Sequence, residues 1–320
     1  LLKIKSAAKT FDIDFSKYEI YEMPATKNAA GLFIKKDMRA LDLFIGSEGI
    51  LGVFAEIEVR LIKRIKNTAT IVAFFEDVNY SLDFIDFLKE NKDKFHTLSL
   101  EFFDENSLKF MRKKHSRLPA NARAAVLFET ESAADKLLDE IADLLDRYQA
   151  FDAWDIQPEK REDIRLFRHY LPEAVNEYVK NKMGKIGTDM AVPNHNFRKL
   201  YKAYLAETAA AKVPYVLFGH IGDNHLHLNF LPKNEAEKKL AMQAYLRLAR
   251  LVVSLNGTIS AEHGVGKKKI RLENKEEVPY LQIMYGQKGL AIIDFIKSQF
   301  DPKRILNIGN QGVMPCSKKP

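Results

Sequence analysis

His220, His227 and the adjacent pair Glu262 and His263 are the residues of this chain best suited to chemistry. They occupy two short stretches, Phe218-Gly-His-Ile-Gly-Asp-Asn-His-Leu-His-Leu-Asn-Phe230 and Gly257-Thr-Ile-Ser-Ala-Glu-His-Gly-Val-Gly266. The first reads as a hairpin with Gly222-Asp223 at its bend. Strand side chains alternate faces, so His225, His227 and Asn229 share one face while Leu226, Leu228 and Phe230 share the other. His220, before the bend, can then approach His227 across the hairpin. Two imidazoles from paired strands, with a carboxylate nearby, suit a divalent metal such as zinc, manganese, iron or cobalt. A lone strand histidine is most often a packed or surface residue. Three of the eight histidines within eight residues, beside glycine and aspartate, tip the balance toward a site. His225 stays open as a third ligand, a hydrogen-bond donor behind the ligands or a surface residue, the ligand role being the less favoured.

Bulk properties exclude several classes. At 320 residues the chain has room for two domains, and 46 % hydrophobic with 29 % charged residues is an ordinary globular composition. No apolar run approaches the ~20 residues that span a bilayer. The single cysteine, Cys316, allows no disulfide framework within this sequence and fits a reducing compartment. The net charge of +7 includes runs at 112–117 and 267–271, read mainly as solvated faces. No nucleic-acid-binding motif accompanies them, so nucleic acid is not expected. The start, Leu1-Leu-Lys-Ile-Lys, is too short and charged for a secretory segment and lacks a methionine, so a fragment is expected.

The elements that must position these residues follow from periodicity. Residues 1–66 contain a loop at 24–31, a glycine-rich stretch Leu43–Gly52 and an alternating strand from Val53 to Ile62. From 67 onward a pattern appears twice: strand 69–75, helix 79–91, strands 96–103 and 123–129, helix 133–148, strand 151–156. After a charged helical stretch at 158–182 come strand 186–192, helix 195–211, the histidine hairpin, helix 235–255 and a strand at 258–260. Both halves read β-α-β-β-α-β, the ferredoxin-like unit. A final helix spans 278–299. The fold class expected is α+β, a mostly antiparallel sheet with helices on one face.

Five motifs occur in order: Gly46-Ser-Glu-Gly-Ile-Leu-Gly52, Thr188-Asp-Met-Ala-Val-Pro193, Gly219-His-Ile-Gly-Asp-x-x-x-His227, Ser260-Ala-Glu-His-Gly264 and Asp301-Pro-x-x-Ile-Leu-Asn307. In combination they resemble the FAD-linked 2-hydroxyacid dehydrogenases of the vanillyl-alcohol-oxidase type, which include D-lactate dehydrogenases, the flavin subunit of glycolate oxidase and D-2-hydroxyglutarate dehydrogenase. The resemblance implies three parts: the end of an FAD-binding domain (1–66), a cap domain holding substrate and metal (67–300) and a C-terminal segment returning toward the FAD domain (301–320). It implies His220, His227 and Glu262 as metal ligands and His263 as the base. It implies Arg168, Asn229 and Lys185 at the substrate, with Arg165 a rival to Arg168. It places Gly46, Ser47, Glu48, Gly49, Gly52, Lys27 and Asn28 near FAD. Departures exist: relatives often read Gly-Asp-Gly-Asn-x-His where this chain has Gly222-Asp-Asn-His-Leu-His227, and Asn-Pro-Gly-Lys where it has Asn307-Ile-Gly-Asn310. The resemblance also implies a first half of the FAD domain, with its pyrophosphate loop, that is expected to lie outside this sequence.

The implied chemistry is coherent. Oxidising a 2-hydroxy acid removes the hydroxyl proton and delivers the α-hydrogen to flavin. A divalent metal acidifies and orients the hydroxyl, and a neutral imidazole beside it suits the role of base. Glu262 and His263 would point to opposite faces in an extended strand, so Gly264 and Gly266 are expected to bend the chain there. The substrate expected is a small 2-hydroxy acid of the D-lactate or glycolate type. The electron acceptor would be a quinone, a cytochrome, an iron–sulfur subunit or an electron-transfer flavoprotein. A cytoplasmic location is expected, with contact to the inner face of the cytoplasmic membrane and a homodimer left open. The competing readings are a metal-dependent hydrolase, which would not need the 46–52 segment, and a non-catalytic flavoprotein subunit, against which the intact ligand set argues.

Overall fold

The structure, a computed structural model, describes residues 2–5, 10–35, 37–63, 65, 68–131, 135–156, 169–272 and 276–313. It combines helices with mostly antiparallel strands and divides into two compact units. The first comprises Leu1–Arg60, Asp189–Tyr201 and Leu246–Pro320, the second Leu61–Thr188 and Lys202–Tyr245.

The second unit is built on one sheet. Its strands run in the order Asp152–Ile156, Ala69–Phe75, Ala124–Thr130, Thr97–Asp104, Tyr215–Gly219, His225–Phe230, Ile186–Gly187, each antiparallel to its neighbour. The first four, with crossover helices Val78–Glu90 and Asp135–Arg147, have the ferredoxin-like connection read from the sequence. The histidine hairpin adds to this sheet edge to edge, through Phe102 opposite Gly219 and Phe103 opposite Phe218.

Helices cover both faces of this sheet, not one. Every residue of Ala69–Phe75 is buried, and a strand apolar on both sides needs two covers. Val72 and Phe74 face a core with Leu108, Met111, Leu171 and Val175, contributed by helices Glu105–Arg112 and Leu171–Val179. Phe75 meets Phe84 of helix Val78–Glu90 at 5.8 Å on the other side. Asp104 caps helix Glu105–Arg112, accepting from the Ser107 amide at 2.8 Å and from the Leu217 amide at 3.1 Å. Burial pushes the Asp104 carboxyl up to about 6, against the opposing pull of these hydrogen bonds. The basic run that follows is partly structural. Arg112 donates to the Ala122 carbonyl at 2.9 Å, while Lys113, Lys114 and Arg117 lie over the rings of Phe110, Tyr170 and Trp154.

In the first unit, helix Gln282–Phe300 kinks at Gly286 and carries Lys297, which is fully enclosed. The Lys297 ammonium donates to the Ile50 carbonyl at 3.0 Å, the Leu306 carbonyl at 2.7 Å and the Asp301 carboxylate at 2.8 Å. Its three protons are thus satisfied, the condition under which a buried charge is tolerated. Asp301 also accepts from the amides of Ile305 and Leu306 at 3.1 and 2.8 Å. Lys297 therefore ties the glycine-rich stretch to the Asp301–Asn307 motif.

Four element expectations fail. Residues 53–62 form no strand among the described residues, and Val53, Ile57 and Val59 are exposed; alternation marks a strand only where a partner strand takes up its amides. The segment expected as strand 186–192 is two short pieces, Ile186–Gly187 and Met190–Ala191, and 258–260 makes only isolated bridges, Thr258 with Ala191 and Ser260 with Asp189. A hairpin of Lys269–Arg271 with Glu277–Pro279 precedes the last helix, which begins at Gln282 rather than near 278.

Candidate metal and substrate site

The histidines of the second unit are built as a hairpin pattern requires. Asn224 turns the chain with φ +56°, and the His225 amide donates to the His220 carbonyl at 3.2 Å. The ring centroids of His220 and His227 lie 5.7 Å apart, and those of His225 and His227 4.5 Å. The tautomers follow from the partners. His220 Nδ1 faces the Glu101 carboxylate at 3.0 Å, and His227 Nδ1 faces the Thr188 carbonyl at 3.3 Å. Both oxygens only accept, so each Nδ1 carries a proton, and in the neutral ring the lone pair is then on Nε2. A metal-bound imidazole is held in this way, its far nitrogen donating to a carboxylate or carbonyl. His225 is fully buried.

Glu262 and His263 belong to the first unit, in a bend between Ser260 and Gly266. Gly264 and Gly266 adopt φ of +72° and +56°, so the expected departure from extended backbone is present. Asp189, Glu262 and His263 each bring one donor atom within 4.8 Å of one another. Asp189 Oδ2 accepts from the Ser260 hydroxyl at 2.6 Å and from the amides of Glu262 and His263 at 3.3 and 2.9 Å. Lys27 Nζ pairs with Glu262 Oε2 at 2.8 Å, and His263 Nε2 lies 3.4 Å from Glu262 Oε1. Carboxylates and an imidazole fit a divalent metal by donor chemistry.

The other sequence-derived residues fall as follows. Asn28 accepts from the Thr258 hydroxyl at 2.6 Å and from the Ala30 amide at 3.1 Å, so its side chain braces the loop leading to Glu262. Gly46 and Gly49 take φ of +75° and +73°, and a Cβ on Gly46 or Gly52 would meet nothing within 4 Å. Ser47 Oγ and Gln311 Oε1 are buried without a hydrogen-bond partner, orphaned polar atoms that a polar cofactor could satisfy. The Glu48 carboxylate is turned into the protein, accepting from the Val265 and Gly266 amides at 3.0 and 2.8 Å. Asn229 is buried beside Gly187, where a side chain would collide with it, and Lys185 immediately precedes strand Ile186–Gly187. Arg168 and Arg165 lie outside the described residues.

Residues 64–310 match the family model described as FAD linked oxidases, C-terminal domain. The chain belongs to this family. Among its curated relatives are the glycolate oxidase subunit GlcD of Bacillus subtilis, 26 % identical over 89 % of this chain and 60 % of the relative. The D-2-hydroxyglutarate dehydrogenase of Stutzerimonas stutzeri is 28 % identical over 88 % of this chain and 59 % of that protein. The mitochondrial D-lactate dehydrogenase (cytochrome) 1 of Saccharomyces cerevisiae is 26 % identical over 83 % and 45 %. The chain thus spans about half to three-fifths of the length of these relatives. Among solved structures, p-cresol methylhydroxylase superposes with a TM-score of 0.56 at 12 % identity, over 77 % of this chain and 53 % of that one, a likeness of fold. No helix among the described residues is long and apolar enough to cross a membrane.

Three residues with clear positions in this FAD-linked oxidase domain escaped the sequence reading. Glu101 is a carboxylate, 7 % exposed, in the apolar strand Thr97–Asp104, and a buried charge in such a run is the signal that could have found it. Thr188 and Asp189 open a motif that was recognised without a role. Thr188 orients His227, and its neighbour Asp189 anchors the Glu262–His263 backbone.

Proposed function

We propose that this chain carries the substrate- and metal-binding part of an FAD-linked dehydrogenase that oxidises a D-2-hydroxy acid, of D-lactate or glycolate type, to the 2-oxo acid. The observation that carries the reading is the pair of oriented imidazoles: Glu101 and the Thr188 carbonyl face Nδ1 of His220 and His227, the arrangement in which a neutral imidazole would ligate a metal through Nε2. His220, His227 and Glu262 are the proposed ligands of one divalent ion. Asp189, whose carboxylate lies among the donors of Glu262 and His263, is a further candidate.

His220, His227 and Glu262 would hold the metal, which when bound would supply Lewis acidity at the substrate hydroxyl, while FAD would supply a two-electron acceptor. The chain's own residues do the rest. His263, at 67 % side-chain exposure, is the proposed acceptor of the hydroxyl proton. Arg168, Asn229 and Lys185 are the proposed substrate-carboxylate contacts, with a guanidinium suited to bidentate pairing. The glycines of 46–52 admit close approach of a cofactor to the backbone, and Ser47 and Gln311 offer unsatisfied polar atoms there. The two electrons pass to a non-oxygen acceptor, a proposal supported by similarity to the yeast D-lactate dehydrogenase (cytochrome).

The roles separate by mutation in the enzyme loaded with flavin and metal. His263→Ala is expected to lower 2-hydroxy-acid-dependent dye reduction by about 10²–10⁴-fold with metal content unchanged. His220→Ala, His227→Ala and Glu262→Ala are expected to lose metal, measured by elemental analysis after dialysis. Retention of a full complement of metal by all three would refute the site. Loss of metal from His263→Ala would reverse the roles of Glu262 and His263.

A further inference from the structure

We infer that Glu48 is a positioning residue for His263: its carboxylate fixes the backbone that aims the imidazole and so couples the Gly46–Gly52 stretch to the base. The inference rests on His263 having the role proposed above.

The Glu48 carboxylate receives four N–H groups, two on each oxygen. Oε1 accepts from the Val265 amide at 3.0 Å and from Gln311 Nε2 at 3.3 Å. Oε2 accepts from the Gly266 amide at 2.8 Å and from Asn310 Nδ2 at 3.2 Å. A glutamine could not accept all four, since it would set its own NH2 against donors. The carboxyl group also fills the space under Gly264, where a Cβ would come within 2.7 Å of its carbon. From the other side Asp189 takes the amides of Glu262 and His263. Two carboxylates therefore hold four of the five backbone amides between Glu262 and Gly266.

The need for such a clamp follows from exposure. The His263 side chain is largely open to solvent, so packing does not set its direction and the backbone must. Strain points the same way. Glu48, Asn307 and Gln311 adopt φ of +49°, +36° and +50° in this one hydrogen-bonded network, conformations that persist where the surroundings over-determine them. Asn307 and Asn310 donate to the Glu48 carbonyl at 2.6 and 2.9 Å, and Gln311 donates to the Gly46 carbonyl at 2.9 Å. Glu48 thus faces the catalytic loop with its side chain while its backbone is locked into the glycine-rich stretch.

The test uses the full-length enzyme with flavin and metal bound, comparing Glu48→Gln, His263→Ala and the double variant. Glu48→Gln is expected to lower kcat by about 10²-fold, the scale of a small misplacement of a catalytic group. KM, metal and flavin content should stay within about two-fold. In the His263→Ala background the same change should cost less than about two-fold, because both act through one imidazole. Hydrogen exchange, read independently of turnover, should quicken at Val265 and Gly266 in Glu48→Gln. A wild-type kcat for Glu48→Gln, additive losses in the double variant, or unchanged exchange would overturn the inference. If His263→Ala keeps full activity while the exchange still quickens, the assignment of the base fails and the clamp stands. Should Glu48→Gln not fold, Asn310→Ala removes one donor to Oε2: a several-fold fall in kcat with faster exchange at Gly266 supports the inference, and an unchanged kcat overturns it.

Discussion

At the scale of single residues, a histidine becomes a candidate ligand only when something holds its other nitrogen. Glu101 does this for His220 at 3.0 Å. We predict that Glu101→Gln, in the flavin- and metal-loaded enzyme, weakens metal affinity about 10–100-fold without loss of fold, the usual effect of altering an outer-shell partner. Competition with a metallochromic chelator measures it, and wild-type affinity would show that His220 does not ligate through Nε2. The hairpin histidines and Glu262 could be read from spacing because alternation and adjacent glycines are local signals. Glu101 lies 119 residues from His220 in sequence, and Thr188 acts through its backbone carbonyl, which every residue possesses. Such partners are set by strand pairing, so the sequence offered the candidate ligands and hid what orients them.

At the scale of elements, the loop that carries Glu262 and His263 depends on two glycines with different demands. Gly264 has φ +72° and a carboxylate against its face, whereas Gly46 has φ +75° with open space around it. Gly264→Ala is therefore expected to destabilise by about 1–3 kcal/mol, from steric displacement added to backbone strain. Gly46→Ala should cost about 1 kcal/mol, from conformation alone. Urea unfolding at neutral pH compares them, and equal losses would mean that Glu48 yields without cost. The ferredoxin-like strands and helices of 69–156 were legible to within one or two residues because their apolar periods are long and clean. Helix Glu105–Arg112 was missed because it is two turns long and depends on a buried cap, Asp104, and on core contacts of Leu108 and Met111. The 53–62 stretch shows the converse failure: a strong period-two pattern without a strand to pair with among the described residues.

At the scale of the whole chain, the two units carry buried carboxylates that respond to acid in opposite directions. Burial raises Asp104 of the second unit from 3.8 to about 6, so between those values its folded form holds a proton the unfolded chain has released. Stability of that unit should rise as pH falls from about 6 toward 4, by up to about 3 kcal/mol. Asp301 of the first unit is shifted the other way. Burial would raise it, but Lys297 and the amides of Leu306 and Ile305 outweigh that and hold it below the ordinary aspartate range. Its contribution is complete above about pH 4 and fades as pH falls through the depressed value. Trp154, the single tryptophan, lies in the second unit and reports its unfolding by fluorescence. The urea midpoint seen by Trp154 should rise from pH 7 to 4.5, and Asp104→Asn should remove the rise. A midpoint that falls over that range in the wild-type chain would contradict it.

The enclosure of Lys297 also makes one amine a clock. Reagents that alkylate or acylate amines reach a lysine only when its nitrogen is exposed, and Lys297 is 0 % exposed with its three protons engaged. In native protein, solvent-facing lysines such as Lys288, 78 % exposed at its side chain, would be labelled at once, while Lys297 would wait for the helix end and the 301–306 turn to part. Its labelling rate relative to Lys288 therefore reads the frequency of that local opening, from a single mass shift, without denaturant.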